Sequence, residues 1–310
     1  MIGFMRRLVV FATVLLFALA ASAVPRAAHV FIISIDGGNP EIMLRSPMPV
    51  LKKLAKAGAH TWQAQTIVPS LTLPSHTSML TGVRMDKHQI TWNNWVPTNG
   101  VVRVPTVFTV ARPAGFSTAM FVGKEKFRHL LQPGTVDVFN YDRAASVDVA
   151  KSENGGATNM KKEGNVSARV VAEEAADYIV KHKPNLCFIH FADPDGIGHT
   201  FGWGSPEQIK AFADTDAALG VIHKAIRRAR IEKDSVIIIS ADHGGHGRGH
   251  GQGTPEDMTI PWVAWGKGVS RRSEITVPVN TCDTAATALW LLDVQPLTSL
   301  DGVPVSSAFE

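Results

Sequence analysis

Along the chain, short continuous apolar runs alternate with longer segments whose apolar positions fall at helical spacing. The runs are His29–Ile35, Ser117–Val122, Asn185–Phe191, Ser235–Ser240 and Ile260–Trp265. A strand that is apolar at successive positions, not at every second one, is covered on both faces, as parallel strands are. Between the runs, Pro49–Ala57 is amphipathic and stops at Gly58, a residue suited to ending a helix. Val166–Lys181 has an acidic middle and an apolar face, and Thr284–Leu292 is a late apolar helix. Pro206–Ala229 is long and amphipathic, with basic residues in its last turns that complement the negative end of the helix dipole. Strands alternating with helices predict an α/β fold with a mainly parallel sheet. There is no internal repeat and no linker dividing the chain. The stretch from about Asp142 to Gly164, rich in Ser, Asn, Gly and Lys, reads as a long surface loop with room for a lid.

The first residues follow another logic. Arg6 and Arg7 precede an uncharged apolar run, Leu8–Ala20, and Ala21-Ser22-Ala23 supplies the small residues of a cleavage site. This is the pattern of a secretory signal peptide over residues 1–23. A retained membrane anchor is the alternative, but the run is shorter than the ~20 residues that span a bilayer. Cleavage removes two of the 31 basic residues and none of the 27 acidic ones, lowering the net charge from +4 to +2. No later stretch is long and apolar enough to span a membrane, so a periplasmic or secreted location is expected, with residues 24–310 as one domain.

Composition narrows the function classes. With 45% hydrophobic and 19% charged residues, the chain is neither disordered nor a charged tail. The charge is weak and no Lys/Arg block is present, so a nucleic-acid polymer is not an expected partner. The two cysteines, Cys187 and Cys282, lack metal or redox spacing. Export permits a disulfide between them, and two separate buried thiols are the other reading.

Three of the runs lead into acidic or histidine-bearing loops, where the sites of such sheets form. Ile35-Asp36-Gly37-Gly38 places a carboxylate directly after a strand, although Asp-Gly is also an ordinary turn. In Asp193-Pro194-Asp195-Gly196-Ile197-Gly198-His199, Asp195 and His199 share a face if a helix starts there. From Ser240 to Gly251, Asp242, His243, His246 and His250 are spaced largely by glycine, which lets a loop curl so that ligands converge. Oxygen and nitrogen donors together suit zinc or a similar divalent ion. The set exceeds one tetrahedral ion and suits two ions about 4 Å apart. A nucleophile is available in Pro69-Ser70-Leu71-Thr72-Leu73-Pro74: Pro74 fits a first helical turn, and Thr72 then lies at the positive helix end. A plain capping role for Thr72 is the alternative.

Together these motifs resemble the alkaline phosphatase superfamily, and within it the type I phosphodiesterase/nucleotide pyrophosphatase-like branch. The resemblance runs from Ile35-Asp36-Gly37 to the region around Asp283 and implies a three-layer α/β/α sandwich. It implies that Asp36, Thr72, Asp242 and His243 surround one zinc, and Asp195, His199 and His250 the other. His250 matches through Gly251 and Met258, with His246 as the alternative. It further implies that Thr72 forms a phospho-threonine intermediate and that Asn93 donates to a phosphoryl oxygen, Asn94 being a close competitor. Lys124 and Lys126 fall where some related monoesterases place a Lys-x-Arg pair on the phosphate, but a second lysine lacks the planar fork of arginine. Two departures from the branch stand out. Pro74-Ser75-His76 replaces its common Pro-Asn-His, and the chain lacks most of the insertions that shape nucleotide or lipid pockets.

The expected function is hydrolysis of a small-molecule phosphoric ester at a two-zinc centre, in two in-line steps with overall retention at phosphorus. A sulfatase of the same superfamily is the nearest rival, although threonine cannot be oxidised to the aldehyde such enzymes use. A non-catalytic zinc-binding protein is the other, although structural zinc sites are usually closed and cysteine-rich. Trp92, Trp95 and Trp203 either flank the pocket or pack in the core.

Overall fold

The apolar runs pair side by side in the computed structural model, which describes residues 26–142, 144–145 and 164–310. The proposed signal peptide and most of the Asp142–Gly164 loop lie outside the described residues. The strands are β1 His29–Ile35, β2 Ala59–Gln65, β3 Thr118–Val122, β4 Val138–Asn140, β5 Leu186–Phe191, β6 Ser235–Ser240, β7 Thr259–Gly266 and β8 Ser273–Glu274. They form one sheet in the order β4-β3-β5-β1-β6-β7-β2-β8. The five strands from β4 to β6 are parallel, and β7 runs antiparallel to both β6 and β2. Central β1 has Val30, Phe31, Ile32, Ile33 and Ile35 wholly buried. Removing one such side chain would cost roughly 2–5 kcal/mol.

Helices cover both faces. On one lie α1 Pro40–Arg45, α2 Pro49–Ala57, α6 Ala168–His182, α7 Asp193–Phe201 and α8 Pro206–Arg228, with α6 against β3 and β5 and α2 against β7. On the other, α10 Asp283–Leu292 packs on β1 and carries α3 Thr72–Thr81 and α5 Val107–Ala111. Short α4 Met85–His88 follows α3, and α9 Pro255–Met258 precedes β7. The result is an α/β sandwich with a mainly parallel sheet. Side chains fix the helix starts: Asn39, Ser167 and Ser205 accept N–H groups at the heads of α1, α6 and α8.

β7 is the antiparallel member of this mainly parallel sheet, although its apolar run reads like those of the parallel strands. Its connection from Ser240 stays at the carboxyl end of β6 and contains only the four-residue α9, so the strand must run back down. Among the described residues, no helix is long and apolar enough to cross a membrane. Cys187 and Cys282 are both buried and unpaired.

Candidate functional site

Four parallel strands deliver the site from their carboxyl ends. β1 gives way to Asp36, β6 to Asp242 and His243, and β3 to Lys124, while α7, just after β5, carries Asp195 and His199. Ser34 lies opposite Ser240, and Ile35 opposite Phe191, so these ends are level. From the other helical layer α3 contributes Thr72 as its first residue, with Thr72 Oγ1 3.4 Å from His243 Nε2. Asp36, Thr72, Asp195, His199, Asp242, His243 and His250 thus meet in one basin.

Each aspartate has one oxygen engaged and one bare. Asp36 Oδ2 accepts from His190 Nε2 at 2.8 Å and lies 2.7 Å from Lys124 Nζ. Asp195 Oδ2 accepts from Lys124 Nζ at 2.5 Å. Asp242 Oδ1 accepts the backbone N–H groups of Gly37 and His243. Asp36 Oδ1, Asp195 Oδ1 and Asp242 Oδ2 are buried without a hydrogen-bond partner. Three imidazoles face them. His243 Nδ1 pairs with Gly244 O at 2.9 Å, His250 Nδ1 with Ser70 O at 2.7 Å and His199 Nδ1 with Arg248 O at 3.0 Å. Only an N–H can pair with a carbonyl, so each ring in its neutral form turns an unprotonated Nε2 inward, that of His243 toward the Thr72 hydroxyl. The Nε2 atoms of His199 and His250 are 3.1 Å apart. His243 and His250 stack with centroids 3.6 Å apart.

Unpartnered buried oxygens facing bare nitrogens are costly unless a cation joins them. Asp195, His199 and His250 could hold one, and Asp36, Asp195 and His243 another, each set offering ligand atoms within 4.8 Å of one another. The oxygen and imidazole donors fit a divalent ion of the zinc type.

The electrostatics are uneven. Burial opposes the charge on Asp36, but Lys124 and His190 outweigh it and hold the carboxyl well below its usual range. Burial and the Asp36 charge likewise oppose ionisation of Asp195, and Lys124 with His199 again prevail. For Asp242, burial and the Asp36 charge win and push it well above. Burial, helped by the nearby His250, lowers His243 to about 3 and keeps its ring neutral.

The remaining sequence candidates fall around the basin. Asn93 Oδ1 accepts Leu73 N–H at 2.8 Å, which sets the amide on the first turn of α3 beside Thr72. Lys126 Nζ lies 3.4 Å from the same oxygen, whereas Lys124 reaches the carboxylates. His246 is half exposed and pairs with Asp257 at 2.8 Å, outside the basin. Trp92 and Trp95 pack on His129. Trp203 backs the basin, edge-on to His199 at 5.2 Å, with its N–H on Gly37 O.

Sequence reasoning missed His190 and His76. His190 takes Gly123 N–H on Nδ1 and donates to Asp36 through Nε2. His76 donates to Thr72 O through Nδ1, and its Nε2 lies 2.7 Å from Ser34 Oγ. For His190 the available signal was an imidazole inside an apolar strand, one residue short of its carboxyl end; His76 lies within α3 and had no such signal.

Comparison with known proteins gives the family and the fold. A family model described as type I phosphodiesterase / nucleotide pyrophosphatase matches residues 30–247. An uncharacterised pyrophosphatase/phosphodiesterase of Schizosaccharomyces pombe is 26% identical over 234 residues, covering 69% of this chain and 44% of that protein. Human ectonucleotide pyrophosphatase/phosphodiesterase family member 5 is 23% identical over 240 residues, covering 71% and 45%. The chain therefore spans less than half the length of these two relatives. Among solved structures, murine ectonucleotide pyrophosphatase / phosphodiesterase 5, inactive and in complex with AMP, superposes with a TM-score of 0.72 at 15% identity, covering 91% of this chain and 100% of that one. The wild-type alkaline phosphatase PafA superposes at 0.75 and 13% identity, covering 93% and 100%. At such identities these structures establish the shared fold.

Proposed function

The chain belongs to the type I phosphodiesterase / nucleotide pyrophosphatase family, and we propose that it hydrolyses small-molecule phosphoric esters at the Asp/His basin, with Thr72 as nucleophile. One observation carries this reading: unpartnered carboxylate oxygens and inward imidazole nitrogens surround a buried threonine hydroxyl at a helix start. Asp36 and His243, whose ligand atoms lie within 4.8 Å of each other and of Asp195, would hold one divalent ion together with Asp242 and Thr72, and Asp195, His199 and His250 a second, both most simply zinc. Such ions supply a lowered hydroxyl pKa and neutralise charge on phosphoryl oxygens.

The chain's own groups do the rest. Thr72 Oγ1 attacks phosphorus, forming an Oγ1–P bond as the bond to the leaving-group oxygen breaks. Water then attacks the phospho-threonine and returns the hydroxyl. The Asn93 carbonyl is fixed by Leu73 N–H, so its amide NH2 is left to donate to a non-bridging oxygen. His76 holds the Thr72 carbonyl and so orients the first turn of α3. The AMP complex of the murine relative supports a nucleotide-like substrate class. Residues 1–23 are read as a signal peptide, so the enzyme would act outside the cytoplasmic membrane, and the N-terminal sequence of the exported protein tests this.

The function is tested with p-nitrophenyl phosphate, its bis-ester and p-nitrophenyl sulfate, before and after chelation and with zinc restored. Phosphate-ester turnover that is lost on chelation and recovered with zinc is expected. Turnover confined to the sulfate, or bound zinc without any turnover, would overturn the reading.

A further inference from the structure

We infer that Lys124 is a carboxylate clamp: its ammonium holds Oδ2 of both Asp36 and Asp195, so that each aspartate offers an ion only Oδ1. The inference rests on the metal-centre reading above and adds a positioning residue to it. Lys124 is only 5% exposed, and its Nζ lies 2.7 Å from Asp36 Oδ2 and 2.5 Å from Asp195 Oδ2. The division of atoms is the same on both sides. The oxygen that meets Lys124 is satisfied, and the other oxygen of each carboxylate is among the buried atoms without a partner. Those bare oxygens are the ones near the imidazoles. Asp36 Oδ1 is 3.5 Å from His243 Nε2, and Asp195 Oδ1 is 3.3 and 3.4 Å from His199 and His250 Nε2.

The chemistry gives this arrangement a use. A carboxylate with two free oxygens can bind an ion through both, which raises its coordination number and closes positions that a catalytic centre keeps open. Two aspartates clamped at Oδ2 are restricted to one bond each through Oδ1. Lysine suits the task, because a compact ammonium with three donors can serve two carboxylates that approach from different elements, Asp36 after β1 and Asp195 on α7. Its Nζ donates to Asp195 Oδ2 and ion-pairs with Asp36 Oδ2, which sets Lys124 apart from a lysine poised for an incoming phosphate. Lys126 lies on the Asn93 side, so the two lysines face different chemistry although they are two residues apart.

Cobalt titration of the metal-free full chain tests the clamp, because the visible band of bound Co2+ weakens as coordination rises above four. Wild type and Lys126→Met should give the same band. Lys124→Met should give one at least about twofold weaker per bound ion, as freed Oδ2 atoms join the metal. Its metal-free thermal midpoint should also fall by roughly 10 °C, because two buried carboxylates lose their counter-ion. If Lys124→Met does not fold, Lys124→Gln, which keeps an uncharged donor, should show the same weakening. A wild-type cobalt band in the Lys124 variants overturns the clamp, whether the lost property is the thermal midpoint alone or the KM for p-nitrophenyl phosphate. Wild type that binds no cobalt overturns the metal centre and the clamp together.

Discussion

His190 and His76 each hold one tautomer because the backbone offers each of them a fixed partner. A Gly123 N–H on His190 Nδ1 forces the other nitrogen to donate to Asp36, and the Thr72 carbonyl does the equivalent for His76. On the proposed reading His190 orients a ligand, so His190→Phe should weaken zinc binding by roughly 10–100-fold in a competitive chelator titration. Unchanged affinity would mean that Asp36 needs no such support. Gly245 makes a second case. A Cβ there would fall 2.2 Å from Trp203, at a φ of 151°. Gly245→Ala should therefore cost about 2–4 kcal/mol in urea denaturation. The ligand candidates were legible because Asp and His among glycines after a strand have few structural uses. Of the tract's glycines, Gly245 does more than let the loop curl, since it makes room for the indole. His190 and His76 were not legible, because their partners Asp36 and Ser34 lie 154 and 42 residues away in sequence.

Among the elements, α3 is expected from Pro74, but its complete burial is not. All ten of its residues are buried although six of them are Ser, Thr or His. The hydroxyls of Thr77 and Thr81 return to the carbonyls of Leu73 and Thr77, so a polar helix can be buried without orphaned groups. Its neighbour α4 supplies a pH-sensitive contact. His88 Nδ1 accepts Ile90 N–H at 3.1 Å and must be unprotonated to do so. Burial lowers its pKa from 6.5 to about 4. Between those values the unfolded chain binds a proton that the folded chain refuses. This contribution to stability is therefore full above pH ~6.5 and shrinks as pH falls toward 4, on the order of 3 kcal/mol in all. Wild type should lose about 2 kcal/mol more than His88→Asn between pH 7 and pH 5 in urea melts, and parallel losses would contradict the assignment. A different device starts α2, whose N-cap Met48 makes no side-chain cap. Asp216 of α8 accepts Val50 and Leu51 N–H at 2.9 and 2.8 Å instead. Asp216→Ala should destabilise the fold by about 2 kcal/mol by the same assay. The apolar strands and amphipathic helices could be read to within about two residues. β2, β4 and β8 could not: β2 reads Ala-His-Thr-Trp-Gln-Ala-Gln and is only half covered, and the other two are two or three residues long.

At the scale of the molecule, the sheet order explains why residues so far apart in sequence meet. β1 lies between β5 and β6, and β3 flanks β5, so four strands end side by side and hand over their loops at one edge. The α/β class and the parallel centre followed from continuous apolar runs. The strand order did not, because it depends on crossovers that leave no local trace. Ions that bind only the assembled edge should stabilise the whole: zinc at about 100 times its dissociation constant adds roughly 2.7 kcal/mol per site and should raise the melting midpoint by several degrees. No shift on adding zinc would speak against a preformed centre. The most direct measurement of the central claim is the hydrolysis rate of Thr72→Ala on p-nitrophenyl phosphate and its bis-ester, with metal content matched to wild type. The account predicts a loss of roughly 10³-fold or more in kcat on the preferred ester with the ions still bound; turnover within tenfold of wild type would contradict it.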